Sequence, residues 1–214
     1  MGFQLTGADY AAYLAVVAKR IGENGEVISA LDAATGDGDH WANLNLGFTH
    51  LMAEREALAA MPIDAAFRRI GMLMMSKIGG SSGILYGGGY IAASKRCAGR
   101  AALDAEGLCG ALEAMVDDMM ARGKAEPGMK TMIDALYPAV QAFKAALASG
   151  ADEADMLRSV RQAALDGAEA TREMAAVKGR ATYQPDKGVG HLDPGAVTMS
   201  WQIEELCNYI LERL

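Results

Sequence analysis

Apolar residues recur every three or four positions along most of this chain, the spacing that places them on one face of an α-helix. The first such segment runs from Thr6, a residue suited to helix capping, to about Glu23, and Gly25 follows it. The apolar stripe of this segment consists of Tyr10, Tyr13, Leu14 and Val17. We therefore predict an amphipathic helix near the start of the chain.

The same spacing predicts helices through the rest of the chain. A short apolar piece, Val27 to Leu31, leads into a loop rich in aspartate, and another helix starts within the glycine-rich segment 78–89. Pro62 marks a break, and Pro138 predicts a kink inside its helix. No segment has the alternating β-branched pattern of a strand. The remaining helices are predicted at about 43–60, 65–77, 101–122, 130–148, 151–178 and 196–211.

Composition agrees with an all-α protein. Hydrophobic residues make up 51% of the chain and charged residues 22%, which is the balance of an ordinary globular protein. Alanine, leucine and methionine are abundant, and all three are strong helix formers. A length of 214 residues suffices for one sizeable core. We predict an all-α fold of about eight helices in which residues 1–214 form a single domain.

The net charge of −7 narrows the range of partners. A sequence-independent nucleic-acid binder needs a basic surface, so nucleic acid is not expected as a partner. A nucleotide is still allowed, because a metal ion can neutralise its phosphates. Three dispersed cysteines without metal-binding spacing indicate a reduced, cytoplasmic protein. Neither a leader nor a membrane helix is expected, since the longest uncharged run, Ile78 to Ser94, is short and rich in glycine.

The most distinctive stretch of the chain is Asp32-Ala-Ala-Thr-Gly-Asp-Gly-Asp-His-Trp-Ala-Asn43. It places the carboxylates of Asp32, Asp37 and Asp39 within eight positions, and the alternating glycines let the last two side chains turn towards one point. Such oxygen ligands suit Mg²⁺ or Ca²⁺, although the spacing does not match a calcium-binding loop. The helix predicted from Asn43 would place its N-terminus beside them, where a phosphate can bind. A solvated Asx turn that caps a helix would use the same residues.

Two further loops carry residues suited to phosphate binding. Gly79-Gly-Ser-Ser-Gly83 offers backbone N–H groups and two hydroxyls at a helix start, but it is neither a Walker loop nor a dinucleotide fingerprint. Close helix packing with a serine cap would explain the same segment. The irregular stretch from 179 to 195 holds Arg180, which is suited to bidentate phosphate contact, beside His191 and Asp193. These residue types predict a metal and phosphate site on a helical protein.

Taken in order, these segments resemble the nucleotide-binding L subunit, or L domain, of dihydroxyacetone kinases. The resemblance extends from residue 32 to residue 196, so it covers most of the chain. Its most specific part is the Gly-Asp-Gly-Asp-His segment followed downstream by Gly-His-x-Asp-Pro-Gly-Ala. The matching segments are Gly36-Asp-Gly-Asp-His40, Gly80-Ser-Ser-Gly83 with Leu85-Tyr-Gly87, Lys130-Thr-Met-Ile-Asp-Ala-Leu136 with Pro138-Ala139, Gly179-Arg-Ala181 and Gly190-His-Leu-Asp-Pro-Gly-Ala196.

The resemblance implies a barrel of eight antiparallel helices with a nucleotide and metal site in the loops at one end. It implies that Asp32, Asp37 and Asp39 hold two Mg²⁺ ions. Phosphoryl transfer needs mainly positioning and charge neutralisation, so no catalytic acid, base or nucleophile is expected in this chain. The residues expected to surround ADP or ATP are His40, Asn43, Gly80, Ser81, Ser82, Thr131, Met132, Arg180, Asp193, Pro194 and Gly195.

The same resemblance implies a kinase subunit that works with a partner. A K subunit would hold dihydroxyacetone or a related short ketose, and the L subunit would present the phosphoryl group to it. In one branch of the family, ADP stays bound and is rephosphorylated by a phosphohistidine protein of the sugar phosphotransferase system. In the other branch, ATP is an exchanging substrate. The sequence leaves both donors open.

Other functions stay open beside this one. A regulatory paralogue would bind nucleotide without transferring phosphate, and a plain helical metal-binding protein would lack transfer activity altogether. The related kinase domain with fatty-acid-binding partners is disfavoured, because its Gly-Asp-Thr-Gly-Thr-Asn segment is absent here. Two residues depart from the family pattern: Trp41 stands where a glycine is common, and Met129 stands where an aspartate is common. Trp41 could reshape the pocket or the partner face, and Met129 removes an expected helix cap.

Overall fold

A computed structural model describes residues 2–214 of the chain. Within that range the backbone forms ten α-helices, two short 3-10 turns and one antiparallel pair of two-residue strands, β1 (Leu5–Thr6) and β2 (Ala102–Leu103). The all-α prediction is therefore confirmed. The helices are α1 (Gly7–Glu23), α2 (Gly25–Thr35), α3 (His40–Ala53), α4 (Arg55–Ala59), α5 (Ile63–Lys77), α6 (Gly80–Arg96), α7 (Ala105–Gly123), α8 (Ile133–Ser149), α9 (Glu153–Ala170) and α10 (Pro194–Leu211).

Eight of these helices form a closed ring. From α5 to α10 each helix packs against the next one in the chain, and α10 then packs against α1. The ring closes through α3, which packs against both α1 and α5. Most connections between successive helices are short, as expected for an antiparallel barrel, whereas the one from α9 to α10 spans residues 171–193. The predicted barrel of eight helices is confirmed, with α2 and α4 as additional short helices beside α3 and α1.

All ten helices contribute to one hydrophobic cluster. The predicted first helix begins with a capping box, in which the Thr6 side chain accepts from the Asp9 backbone and Asp9 accepts from the Thr6 backbone. The predicted apolar stripe of α1 is buried. Tyr10 packs edge-to-face against Phe67, and its hydroxyl lies 2.9 Å from that of Tyr90. The amphipathic pattern of α1 is therefore satisfied by packing against α5 and α6.

Several element boundaries differ from the sequence prediction. The apolar piece 27–31 belongs to the longer helix α2. Ala33 and Ala34 favour its extension, because alanine is the strongest helix former. The glycine-rich segment is mostly helix, since α6 begins at Gly80. The long helix predicted from 151 to 178 ends at Ala170, where the Thr171 hydroxyl donates to the carbonyl of Ala168. The helix predicted over 43–60 is interrupted between α3 and α4.

Helices α5 and α6 approach each other closely at two glycines. A Cβ atom added at Gly87 would lie 2.7 Å from the carbonyl oxygen of Gly71 and 2.6 Å from the Cβ of Met75. Only a hydrogen atom fits at this crossing, so the glycines of α6 serve helix packing as well as the loop before it. None of the helices within residues 2–214 is long and apolar enough to cross a lipid bilayer.

Candidate functional site

A pocket of about 410 Å³ lies at one end of the helix ring. Its volume is within the range of small-molecule sites. Helices α3, α6, α8 and α10 begin at this pocket, whereas α2 and α7 end beside it. All fourteen residues that were predicted to bind metal or nucleotide line the pocket: Asp32, Asp37, Asp39, His40, Asn43, Gly80, Ser81, Ser82, Thr131, Met132, Arg180, Asp193, Pro194 and Gly195.

The three aspartates meet at the rim of this pocket. One ligand atom from each of Asp32, Asp37 and Asp39 lies within 4.8 Å of the others. Asp32 sits in the last turn of α2, where its carboxylate is buried and accepts the backbone N–H of His40 at 3.0 Å. A Cβ atom at Gly36 would overlap the Asp32 carboxylate, so a larger residue there would displace that side chain. The turn from α2 to α3 thus brings together side chains that a straight helix would separate.

The charges at the rim are not balanced. The Arg180 guanidinium lies 2.7 Å from the Asp37 carboxylate, and it is the cation that pairs with the cluster. Asp32 is 6% exposed and has only a backbone N–H as its partner, which is a poor compensation for a buried carboxylate. Three carboxylates at this separation repel one another unless a cation neutralises them. An all-oxygen donor set with excess negative charge fits a hard divalent cation such as Mg²⁺.

Four helix N-termini face the pocket, and each brings the positive end of a helix dipole to it. Gly79 is the N-cap of α6 and no side chain caps this helix. Ser81 and Ser82 therefore do not cap the helix, so the alternative of a serine cap is wrong, although the close packing proposed with it is present at Gly87. Gly80 has a φ of 65°, a conformation that glycine adopts without strain. The start of α6 thus has the features that favour an anion at a helix N-terminus.

Asp193 and Lys130 also line the pocket. The Asp193 carboxylate caps α10 by accepting the backbone N–H of Ala196 at 2.7 Å. Burial raises the pKa of Asp193 to about 7, and the neighbouring Asp134 and Asp32 carboxylates add to that effect. Lys130 is 1% exposed, and burial lowers the pKa of its amine.

Lys130 connects two segments that are distant in sequence. Its Nζ donates to the carbonyl of Thr171 at 2.6 Å and to that of His191 at 2.5 Å. The helix predicted from residue 130 begins three residues later, at Ile133, so Lys130 belongs to the loop before α8. The amine therefore ties the loop before α8 to both ends of the segment between α9 and α10.

His40, the first residue of α3, bridges the acidic cluster and α10. Its Nε2 atom lies 2.9 Å from the Thr198 hydroxyl. Burial lowers the pKa of the imidazole, while the charges of Asp32 and Asp39 oppose that effect. The ring is consequently held between the acidic turn and the core rather than projecting into solvent.

Ten further residues line the pocket beside the fourteen that were predicted to bind metal or nucleotide. Several are apolar side chains that would pack against a flat ligand group, and in the sequence they look like ordinary core residues. The sequence does place Leu85 beside the pocket, because it lies one helical turn after Ser81 and Ser82. The additional residues are Thr35, Gly79, Leu85, Gly123, Ala125, Lys130, Ile133, Lys178, Gly179 and Ala181.

The two departures from the family pattern lie away from the centre of the pocket. The Trp41 indole donates to the carbonyl of Ile21 at 3.0 Å and lies against Gly25, so it fills the junction of α1 and α2 instead of entering the pocket. Met129 precedes α8 by four residues, so an aspartate there would not be its N-cap. Asp134 organises this loop instead, by accepting the backbone N–H groups of Gly128 and Thr131.

Comparison with known proteins agrees with this geometry. The DAK2 domain model matches residues 34–208. The ADP-binding subunit DhaL of a PEP-dependent dihydroxyacetone kinase from Listeria innocua is 38% identical over 83% of this chain and 84% of its own length. The corresponding Escherichia coli subunit is 34% identical over 85% of this chain and 86% of its own length.

A crystal structure shares the fold. The dihydroxyacetone kinase from C. freundii, in complex with AMP-PNP and Mg²⁺, superposes with a TM-score of 0.72 and 25% identity over 97% of this chain. This chain spans about a third of the length of that kinase, because the match covers 35% of it. The fold and the relatives define the class of protein as a helical kinase subunit. The chain belongs to the DAK2 domain family, and its relatives over most of its length are the L subunits of dihydroxyacetone kinases.

Proposed function

We propose that this chain holds ADP or ATP through two Mg²⁺ ions and passes a phosphoryl group to dihydroxyacetone, or a related short ketose, on a partner K subunit. The observation that carries the proposal is the position of the three-aspartate cluster at the mouth of a pocket lined by four helix N-termini. A cation site and an anion site so close together suit a nucleotide diphosphate or triphosphate with its metals.

Each wall of the pocket has its own role in this proposal. Asp32, Asp37 and Asp39 would hold the metal ions, which neutralise phosphate charge and orient the transferring oxygens when bound. The backbone N–H groups and hydroxyls at the start of α6 would contact the phosphates, together with Arg180. Met132 and the apolar residues beside it would receive the base.

Transfer from this site requires no protein nucleophile. Phosphoryl transfer is accelerated mainly by positioning and by stabilising charge on the phosphoryl oxygens, so aligned dipoles and cations suffice. Helix dipoles contribute fixed partial charges that need no reorganisation during the reaction. The role of this chain is thus to hold the phosphoryl group in place at the open end of the barrel, where a partner can reach it.

We further propose that the phosphoryl group is supplied by a PEP-dependent relay that recharges bound ADP. The bacterial relatives that match this chain over most of their own length are named as ADP-binding subunits of PEP-dependent or PTS-dependent kinases. The human triokinase/FMN cyclase is 37% identical, but the match covers only 30% of that longer protein. The names of these bacterial relatives therefore favour a nucleotide that stays bound and is recharged in place.

Replacement of one metal-binding carboxylate tests the metal site. We expect Asp37→Ala to weaken Mg²⁺-dependent ADP binding by at least about tenfold, since one of the oxygen ligands proposed for the metal is lost. Asp117→Ala is the matched control, because it removes the same charge from an exposed position on α7. Isothermal titration of ADP in the presence and absence of Mg²⁺ measures the effect. Equal affinity of wild type and Asp37→Ala would contradict the assignment of the cluster as a metal site.

The identity of the nucleotide that copurifies with the protein tests whether the phosphoryl donor is recharged ADP or exchanging ATP. We expect stoichiometric ADP to be released when the untreated protein is denatured and its supernatant is separated by anion exchange. An empty protein that binds added ATP only with Mg²⁺ would instead identify ATP as an exchanging substrate. Supply of a K subunit and dihydroxyacetone then tests transfer, and ADP binding without transfer would favour a regulatory role.

A further inference from the structure

The ring of His40 is fixed by a residue outside the acidic turn. Its Nε2 atom lies 2.9 Å from the hydroxyl oxygen of Thr198, which is 158 positions away in the chain and fully buried in α10. The backbone N–H of the same histidine donates to the Asp32 carboxylate at 3.0 Å. His40 is therefore anchored at its backbone to the acidic cluster and at its ring to the core.

The surroundings of Thr198 determine which atom carries the proton in this bond. The hydroxyl oxygen lies 3.0 Å from the carbonyl oxygen of Pro194 and 3.3 Å from that of Gly195. Carbonyl oxygens only accept, so the single hydroxyl proton of Thr198 is directed to them, as is common for threonine inside a helix. The two lone pairs of this oxygen are left to accept, so we assign His40 as the donor through Nε2. The geometry thus assigns the Nε2-protonated ring.

Thr198 is itself held by a buried polar group. Its backbone carbonyl accepts from the side-chain amide of Gln202 at 3.0 Å, and the same nitrogen lies 2.7 Å from the Tyr86 hydroxyl. Because a backbone carbonyl cannot donate, the amide atom that faces it must be nitrogen, which settles the orientation of the amide. Gln202 is 4% exposed and Tyr86 is fully buried, so this group is shielded from competing water.

We propose that Thr198 is a positioning residue of the nucleotide site: it holds the His40 ring through Nε2 and leaves Nδ1 as the ring nitrogen that meets the nucleotide. The inference rests on the proposed function, in which His40 contacts ADP. The His40 ring is not among the clustered ligand atoms of the three aspartates, so its role is separate from theirs. Thr198 does not touch the nucleotide itself.

Two substitutions at Thr198 separate its hydroxyl from its volume. Thr198→Val keeps the shape and removes the acceptor, whereas Thr198→Ser keeps the acceptor. We expect Thr198→Val to weaken binding of ADP with Mg²⁺ roughly two- to tenfold, the range of one hydrogen bond, and Thr198→Ser to restore it. Ser200→Ala is the control, because the Ser200 hydroxyl is buried in the same helix and donates only to the Val197 carbonyl.

The ring nitrogens report the position of the proton directly. In nucleotide-free protein at about pH 8, where histidine is neutral, ¹⁵N shifts should show His40 protonated at Nε2 in the wild type and in Thr198→Ser. Thr198→Val should show a mixture of tautomers. The His40→Gln spectrum assigns the signal. Circular dichroism checks that each variant is folded.

The outcomes distinguish this inference from the proposed function. A wild-type ring protonated at Nδ1, or a Thr198→Val variant with an unchanged ring and unchanged ADP affinity, would overturn the role of Thr198. Wild-type protein that does not bind ADP with Mg²⁺ would overturn the proposed function and the nucleotide-positioning role together. In that case the ¹⁵N spectra would still decide whether Thr198 fixes the ring.

Discussion

At the scale of single residues, two carboxylates that cap helices have opposite electrostatic surroundings. Asp193 caps α10 and its own N–H donates to the Thr171 hydroxyl, yet burial raises its pKa to about 7. Asp152 also caps a helix, α9, but it is exposed, and the backbone N–H of Asp155 holds its pKa below the usual value. The same capping geometry therefore has opposite consequences for the dependence of stability on pH.

We expect the Asp193→Asn substitution to reveal this difference. The folded-state pKa of Asp193 lies above the unfolded value, so its contribution to the free energy of unfolding is largest at low pH and is lost as the pH rises from about 4 to 7. Asparagine still caps the helix and does not titrate. Urea unfolding without Mg²⁺ should show wild type losing stability relative to Asp193→Asn across this interval. Asp152→Asn should give the opposite slope, and a flat difference at Asp193 would show that its pKa is not raised.

At the scale of helices, close approach and free N-termini are combined in α6. Its first residues face the pocket, and one to two turns later its backbone meets that of α5 at Gly87 and Gly71. The segment must be rich in glycine for both reasons. Gly22, near the end of α1, has neither constraint: a Cβ atom there would meet only the Asn45 side chain, at 3.7 Å.

The two glycines should respond oppositely to alanine. We expect Gly87→Ala to destabilise the protein by about 1–3 kcal/mol, because the added methyl group forces the two helix backbones apart. Gly22→Ala should stabilise it by up to about 1 kcal/mol, because alanine loses less backbone entropy in a helix. Urea unfolding at constant pH measures both. A neutral Gly87→Ala variant would mean that the crossing of α5 and α6 is not tight.

At the scale of the whole molecule, the ring arrangement explains why the pocket exists. Alternating helix directions place the N-termini of α3, α6, α8 and α10 at the same end of the barrel. Their dipoles add at one point, and the aspartate cluster lies beside it. A single helix N-terminus would attract an anion weakly, whereas four around one pocket can hold a polyphosphate.

The prediction that residues 1–214 form a single domain stays a prediction, and it can be tested by unfolding. We expect coincident urea transitions by far-ultraviolet circular dichroism and by tryptophan fluorescence, which reports Trp41 beside α1 and Trp201 in α10. ADP with Mg²⁺ should shift both transitions equally to higher denaturant, since ligand binding stabilises the folded state. Two separate transitions would contradict a single domain.

The sequence predicted helices well where the pattern is local and long. The capped stripe of α1 is an example, because Thr6 and its apolar positions are all within one helix. It predicted boundaries less well where tertiary contacts end a helix. The helix that ends at Ala170 is followed by residues whose backbone groups bond to distant loops, such as Val177 to Met129, and no local signal marks that change.

By itself the sequence determined the helical class and the family resemblance. It also determined that Asp32, Asp37 and Asp39 lie close together, because a separation of five to seven positions with two glycines allows their side chains to meet. Only the tertiary structure decided the convergence of four helix N-termini, the burial of Lys130 and the bond between His40 and Thr198. Such contacts join residues far apart in the chain. Their geometry depends on how the helices close into a ring, which residue spacing does not specify.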